Sequence, residues 1–205
     1  MSRYDHDRRE LCLKIVYAGP GLSGKTTNLR FLHGSLPTDR RGRLVSLATE
    51  NDRTLFFDFL PVDVGQVAGF RVRLSLYTIP GQARYRISRA LIMRGADAVV
   101  FVADSHPMRA QANRTSLQDL QGMLEKEGRS LSFLPLILQY NKRDLPNRIA
   151  LEDLEAELNP DGAPFVPAVA VDGRGVSQSL KEATRLAIRQ ALSIGGEREQ
   201  PKQRG

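Results

Sequence analysis

Two hydrophobic periodicities alternate along the chain. Short apolar runs, typical of buried strands, are separated by segments in which apolar residues recur every three to four positions, as on one face of a helix. The predicted strands are 11–17, 44–48, 70–77, 98–103, 134–140 and 165–171, and the predicted helices are 27–36, 107–127, 151–158 and a last one from Val176. This order predicts an α/β fold with a mostly parallel central sheet, helices on both faces and right-handed crossovers.

The strand at 70–77 differs from the others. Phe70, Val72, Leu74 and Leu76 alternate there with Arg71, Arg73, Ser75 and Tyr77. Such alternation predicts one apolar and one wet face, and therefore a strand near an edge of the sheet. We expect 44–48 to be its partner, so that the sheet has one antiparallel edge strand.

The segment from Gly19 to Thr26 has the pattern G-x-x-x-x-G-K-T, between a predicted strand and a predicted helix. In this context the backbone N–H groups turn towards phosphate oxygens, and the helix N-terminus adds positive potential. Lys25 would reach the β- and γ-phosphates, and the Thr26 hydroxyl would bind Mg²⁺. The predicted phosphate-binding residues are Gly19, Gly21, Leu22, Ser23, Gly24, Lys25, Thr26 and Thr27.

The nucleotide base is indicated by the sequence N-K-R-D at 141–144, which directly follows a predicted strand. The Asp144 carboxylate would accept hydrogen bonds from N1–H and the exocyclic amine of guanine, and adenine offers no such pair of donors. Asn141 would tie this loop to the base and to the phosphate loop, and the stem of Lys142 would lie over the ring. Both loops follow strands, so they meet at one edge of a parallel sheet. The sequence therefore predicts GTP rather than ATP.

The length and composition of the chain limit its domain organisation and indicate its cellular location. With 205 residues, of which 41% are hydrophobic, the chain fits one domain at 11–194, with a polar segment at 1–10 and a polar, disordered tail at 195–205. No apolar stretch approaches the roughly 20 residues that span a bilayer, and the first residues are too polar for a signal peptide, so we expect a cytoplasmic protein. The net charge of +7 suits an anionic partner, but no basic stripe with interleaved aromatic residues supports nucleic-acid binding.

With these motifs, the chain resembles the Ras-like small GTPases, and among them the bacterial gliding-motility (MglA) subfamily. The resemblance covers about 11–194. The residues that carry it are 19–27, 49–50, 52–61, 80–82, 101–105 and 139–146. It implies the small-GTPase (P-loop NTPase) fold.

The resemblance also implies roles for single residues. Thr54 would bind Mg²⁺ together with Thr26, and would sense the γ-phosphate. Gln82 would orient the attacking water and Arg53 would act as an arginine finger in cis, beside the catalytic Lys25. For Arg53 the alternative is an ordinary solvated or paired loop arginine. The remaining nucleotide-binding residues implied by the family are Thr78, Gly81 and Ala170, the last through a backbone N–H to guanine O6.

Two positions depart from the small-GTPase pattern. Thr78 stands where the usual D-x-x-G sequence has its Asp, as it does in the MglA subfamily. A hydroxyl can hold a metal-bound water but carries no charge, so weaker Mg²⁺ binding and slower hydrolysis are expected. After Gln82, a cationic helix is indicated by Arg84, Arg86, Arg89 and Arg94. A solvated helix face is the favoured interpretation, and an altered partner surface is the alternative.

The function implied by the resemblance is that of a cytoplasmic bacterial GTP/GDP switch with slow hydrolysis. It would act in cell polarity or in gliding or twitching motility, with recruitment to a cell pole. The expected partners are a homodimeric roadblock-fold, MglB-like activator and motility or polarity effectors. The alternative is a nucleotide-gated scaffold with negligible hydrolysis, which Thr78 favours, whereas Gln82 and Arg53 favour the enzyme. A translation-associated GTPase is disfavoured because no RNA-binding domain is appended.

Overall fold

The computed structural model describes residues 3–5, 8–47, 57–67, 69–81 and 86–198. The strands are β1 (Arg3–Asp5), β2 (Glu10–Ala18), β3 (Val45–Leu47), β4 (Phe57–Val67), β5 (Phe70–Thr78), β6 (Ala98–Asp104), β7 (Leu136–Asn141) and β8 (Phe165–Pro167). The helices are α1 (Lys25–Ser35), α2 (Arg86–Met93), α3 (Ala110–Lys126), α4 (Leu151–Leu158) and α5 (Val176–Arg198).

One sheet contains all of these strands. Its order is β3-β4-β5-β2-β6-β7-β8, and β1 pairs with β2 outside this path. The pairs from β5 through β2, β6 and β7 to β8 are parallel, whereas β3 and β4 form the antiparallel edge. The predicted fold class, a mostly parallel α/β sheet with an antiparallel edge, is confirmed.

The predicted position of β5 is wrong in two respects. From Arg71 onwards, buried residues alternate with exposed or partly buried ones, as expected. However, β3 and β4 lie outside β5, so it is not near the edge. Its antiparallel partner is β4, and the segment at 44–48 contributes β3, which pairs with β4 instead. β4 was not predicted as a strand because its sequence contains Asp58, Pro61 and Gly65, which are all disfavoured within a sheet. Pro61 is tolerated because β3 pairs only with residues 57–59 of β4.

The last strand and the last helix also differ from their predicted lengths. β8 ends at Pro167 rather than at residue 171, and the chain then turns through Gly173 and Gly175, which both have positive φ. α5 continues to Arg198, so the first part of the predicted tail is helical. The rest of that tail, 199–205, lies outside the described residues.

Two apolar layers enclose the sheet. Successive residues of β2 point to opposite sides, with Ile15 in the layer beneath α1 and α5 and Val16 in the layer beneath α2, α3 and α4. Every residue of β6 is buried, as predicted for a central strand. The carboxyl ends of β2, β6 and β7 are therefore held rigidly side by side. Among the described residues, no helix has the combination of length and apolar character that crossing a membrane requires.

Candidate nucleotide-binding site

The loops that follow β2, β6 and β7 meet at the carboxyl edge of the sheet. The first is the phosphate loop, residues 19–26, which leads into α1. The second, residues 104–109, leads into α3. The third, residues 141–145, contains the predicted guanine-binding residues and is called the guanine loop below. Parallel sheets place ligand sites at this edge because all their strands point the same way.

Close backbone approach requires glycine at two positions of the phosphate loop. Gly19 has φ 131° and Gly24 has φ 106°, values that other residues rarely adopt. A Cβ on Gly19 would collide with the backbone carbonyl of Val102, and one on Gly24 would collide with the side-chain amide of Asn141. The glycines thus let the loop lie directly against β6 and the guanine loop.

Lys25 lies within the phosphate loop. Its Nζ donates to the carbonyl oxygens of Gly19 at 2.9 Å and Pro20 at 2.6 Å. Burial lowers the pKa of Lys25 to about 7; the nearby cations Arg89 and Arg109 add to this effect, and Asp58 opposes it. A buried amine among cations favours a negatively charged neighbour, so this position suits the phosphates of a nucleotide.

Asp58, on β4, is surrounded by hydroxyl groups. Its carboxylate accepts hydrogen bonds from Thr26 Oγ1 at 2.6 Å, Thr78 Oγ1 at 2.8 Å and Ser46 Oγ at 2.6 Å. The Asp58 side chain is only 7% exposed, and its backbone N–H donates to Thr78 Oγ1 at 2.8 Å. Asp58 lies within the segment 52–61 that carries the family resemblance, but no role was predicted for it. The absence of a charge at Thr78 was the signal that should have directed attention to an acid on an adjacent strand.

Asn141 connects the guanine loop to two other segments. Its Nδ2 donates to the carbonyl oxygen of Ser23 at 2.7 Å, and its Oδ1 accepts from the backbone N–H of Ala170 at 2.8 Å. The neighbouring Lys142, with φ 66°, donates from Nζ to Oδ2 of Asp104 at 2.6 Å. Asp144 is exposed. The structure therefore brings Asn141 and Ala170 together beside Ser23 of the phosphate loop, and the Ala170 N–H that was expected to contact guanine O6 is bonded to Asn141 here.

Two buried side-chain amides, those of Asn28 and Gln139, hold the end of the phosphate loop in place. Asn28 Nδ2 donates to Gly24 O at 2.9 Å and to Gln139 Oε1 at 2.8 Å, and Gln139 Nε2 donates to Ser179 Oγ at 2.8 Å. These bonds fix the start of α1 to β7 and α5. No role was predicted for Asn28 and Ser179, because polar residues within helices carry no local signal of burial.

Three residues with expected catalytic or metal-binding roles, Arg53, Thr54 and Gln82, lie outside the described residues. Gly81, directly before Gln82, is described. A Cβ at Gly81 would collide with the backbone of Gly21, so the end of this segment packs on the phosphate loop.

The expectation that the arginines after Gln82 form a solvated helix face is wrong for Arg89. This side chain on α2 is 3% exposed, and its Nη1 lies 3.1 Å from Oδ2 of Asp119 on α3. The exposed positions of α2 include the apolar Ile87 and Leu91. Arg89 is buried because a partner on α3 compensates its charge, which the spacing of arginines along one helix cannot reveal.

Comparison with known proteins gives an independent identification. The sequence profile of the ADP-ribosylation factor family matches residues 45–183. The mutual gliding-motility protein MglA of Myxococcus xanthus (strain DK1622) is 47% identical over 196 residues, which are 96% of this chain and 100% of that protein. Human ADP-ribosylation factor-like protein 4A is 26% identical over 204 residues, with 93% of this chain and 89% of that protein covered. The chain belongs to the Arf/Ras-like small GTPase family, and its predicted similarity to MglA is confirmed.

Proposed function

We propose that this protein is a guanine-nucleotide switch that binds GTP and GDP, hydrolyses GTP slowly and acts in gliding motility or cell polarity. The observation that carries the nucleotide assignment is the bond between Asn141 and Ser23, which joins a guanine-type loop to a phosphate loop. Asp144 lies three residues after Asn141 and is exposed, and its carboxylate would accept the two donors of guanine. The motility assignment rests on the Myxococcus xanthus relative, whose name refers to gliding motility.

The residues at Asp58 fit the Mg²⁺ ion that the family implies. Mg²⁺ prefers hard oxygen ligands and keeps several waters. Thr26 would bind the ion directly together with Thr54, and Asp58 and Thr78 would hold waters on it. When bound, the ion neutralises negative charge on the phosphates. The charge that Thr78 lacks is supplied by Asp58 from the adjacent strand, which supports a GTPase with a functional metal site.

For hydrolysis we propose the residue roles that the family pattern gives. Gln82 orients the attacking water, Arg53 stabilises the transition state, and Lys25 holds the β- and γ-phosphates. An activator of the roadblock fold, similar to MglB, would raise the rate. The protein would work in the cytoplasm, with recruitment to a cell pole. The rival function, a scaffold with negligible hydrolysis, is supported by the uncharged Thr78, but Asp58 weakens that support because it restores a carboxylate at the same place.

Single-turnover hydrolysis of preloaded GTP separates these functions. We expect slow release of phosphate by the protein alone and a large acceleration by a roadblock activator. Nucleotide that stays bound as GTP with every activator tested would select the scaffold. Equal affinity for GTP and ATP in equilibrium titration would refute the guanine assignment itself.

A further inference from the structure

We propose that Arg109 is a positioning residue that couples the phosphate loop to the guanine loop, acting through Asp104 and Lys142. The proposal rests on the nucleotide binding proposed above and assigns a role to a residue at the start of α3. It concerns how tightly the nucleotide is held.

The first support is a direct contact with the phosphate loop. Arg109 Nη2 donates to the carbonyl oxygen of Gly21 at 2.6 Å. A guanidinium has five donors in a rigid plane, so it can hold one carbonyl and still face a second acceptor. The bond fixes the direction of a carbonyl in the part of the loop whose N–H groups must face phosphate.

The second support is the buried carboxylate next to Arg109. Asp104, which is 1% exposed, receives the Lys142 amine at 2.6 Å, and its Oδ2 lies 3.8 Å from Arg109 Nε. Its backbone is held on both sides by the fully buried Asn113, which accepts from Asp104 N at 2.9 Å and donates to Asp104 O at 2.8 Å. A buried carboxylate requires compensation, and the two cations provide it from two different loops.

Two hydrogen bonds, Arg109 to Gly21 and Lys142 to Asp104, are therefore joined by the ion pair between Arg109 and Asp104, in which Arg109 Nε makes no hydrogen bond. Together these contacts connect the phosphate loop to the guanine loop. These contacts form a second connection between the two loops, in addition to the bond between Asn141 and Ser23. The side chain of Arg109 remains 35% exposed, so its contribution to the apolar core is small. Its main contacts are instead with the polar groups that fix the two nucleotide loops relative to each other.

The test measures dissociation of fluorescent N-methylanthraniloyl-GDP from the full chain, chased with excess GDP. We expect Arg109→Met to release this nucleotide about ten to a hundred times faster, as for loss of one charged hydrogen bond. Arg109→Lys keeps the charge but can serve only one of the two partners, so an intermediate rate is expected. The matched control is Arg114→Met on α3, since Arg114 contacts Gln111 and Glu157 rather than a nucleotide loop.

A double-mutant cycle distinguishes coupling from a general loss of stability. Because Arg109 acts through Lys142, the effects of Arg109→Met and Lys142→Met should be clearly less than multiplicative when combined. Multiplicative effects, or release by Arg109→Met within twofold of the native rate, overturn the proposal. If Arg109→Met does not fold, a native release rate for Arg109→Lys overturns it. Failure of the native chain to bind the labelled GDP rejects the proposed function itself, whereas native binding that is insensitive to Arg109 rejects only this inference.

Discussion

The hydroxyl of Thr78 donates to the carboxylate of Asp58 at 2.8 Å, across the boundary between β5 and β4. Thr78 occupies the position at which small GTPases usually carry an acid, and Asp58 brings an acid to the same place from the next strand. Thr26 reaches the same carboxylate oxygen at 2.6 Å. A carboxylate therefore lies beside Thr26 of the phosphate loop, although Thr78, at the position that usually carries the acid, is uncharged.

Asp58→Asn should weaken nucleotide binding only when Mg²⁺ is present. The amide keeps the shape of the side chain but removes the negative charge that would hold the waters of the ion. We expect a loss of about 1.5–3 kcal/mol in affinity for GTP with Mg²⁺ and little change with a chelator. Equilibrium titration under both conditions measures this. Asp63→Asn, on the same strand but bonded to Arg71, is the control.

A charge swap tests the same relationship in the other direction. Thr78→Asp alone places a second carboxylate beside Asp58, and like charges at this distance repel. Combined with Asp58→Asn, the same change should restore Mg²⁺-dependent affinity towards the native value. A double variant as weak as Asp58→Asn alone would show that the acid is needed on β4 and not merely at this place.

Some parts of the site follow from local sequence and others do not. The phosphate loop and the guanine loop each depend on a few consecutive residues, so their glycines, Lys25 and Asn141 were predictable. Asp58 depends on the register between two strands, and β4 was itself hidden by Pro61. Arg109 bonds to Gly21 of the phosphate loop and reaches the guanine loop only through Asp104. Such contacts are set by tertiary packing, which hydrophobic periodicity does not encode.

Asp144→Asn should exchange the preferred base. The asparagine amide presents a donor where the guanine amine needs an acceptor, whereas the additional carbonyl of xanthine can accept from it. We expect GTP affinity to fall by about 2–4 kcal/mol and affinity for xanthosine triphosphate to rise. Asp153→Asn, an exposed acid on α4, is the control for surface charge. Unchanged GTP affinity in equilibrium titration would remove Asp144 from the site.

Lys25→Ala should abolish GTP binding or weaken it severely, because the cation proposed to contact the β- and γ-phosphates is lost. Thr26→Ala should reduce mainly the Mg²⁺-dependent part of the affinity. Titration with GTP in the presence and absence of Mg²⁺ distinguishes the two effects. Binding of GTP by Lys25→Ala at the native affinity would contradict the assignment of residues 19–26 as a phosphate loop.

Gln82→Leu and Arg53→Ala should impair hydrolysis more than binding, because both residues are proposed to act in the transition state. We expect Gln82→Leu to remain in the GTP form and Arg53→Ala to lose roughly 10³-fold of the activator-stimulated rate. Thr54→Ala should differ from both by weakening Mg²⁺ and γ-phosphate contacts, so that hydrolysis and effector binding fall together. The measurement is single-turnover hydrolysis of preloaded GTP with a roadblock activator, alongside nucleotide affinity for each variant. Native rates for both Gln82→Leu and Arg53→Ala would place the hydrolytic machinery on other residues, and affinity losses as large as the rate losses would assign them to binding.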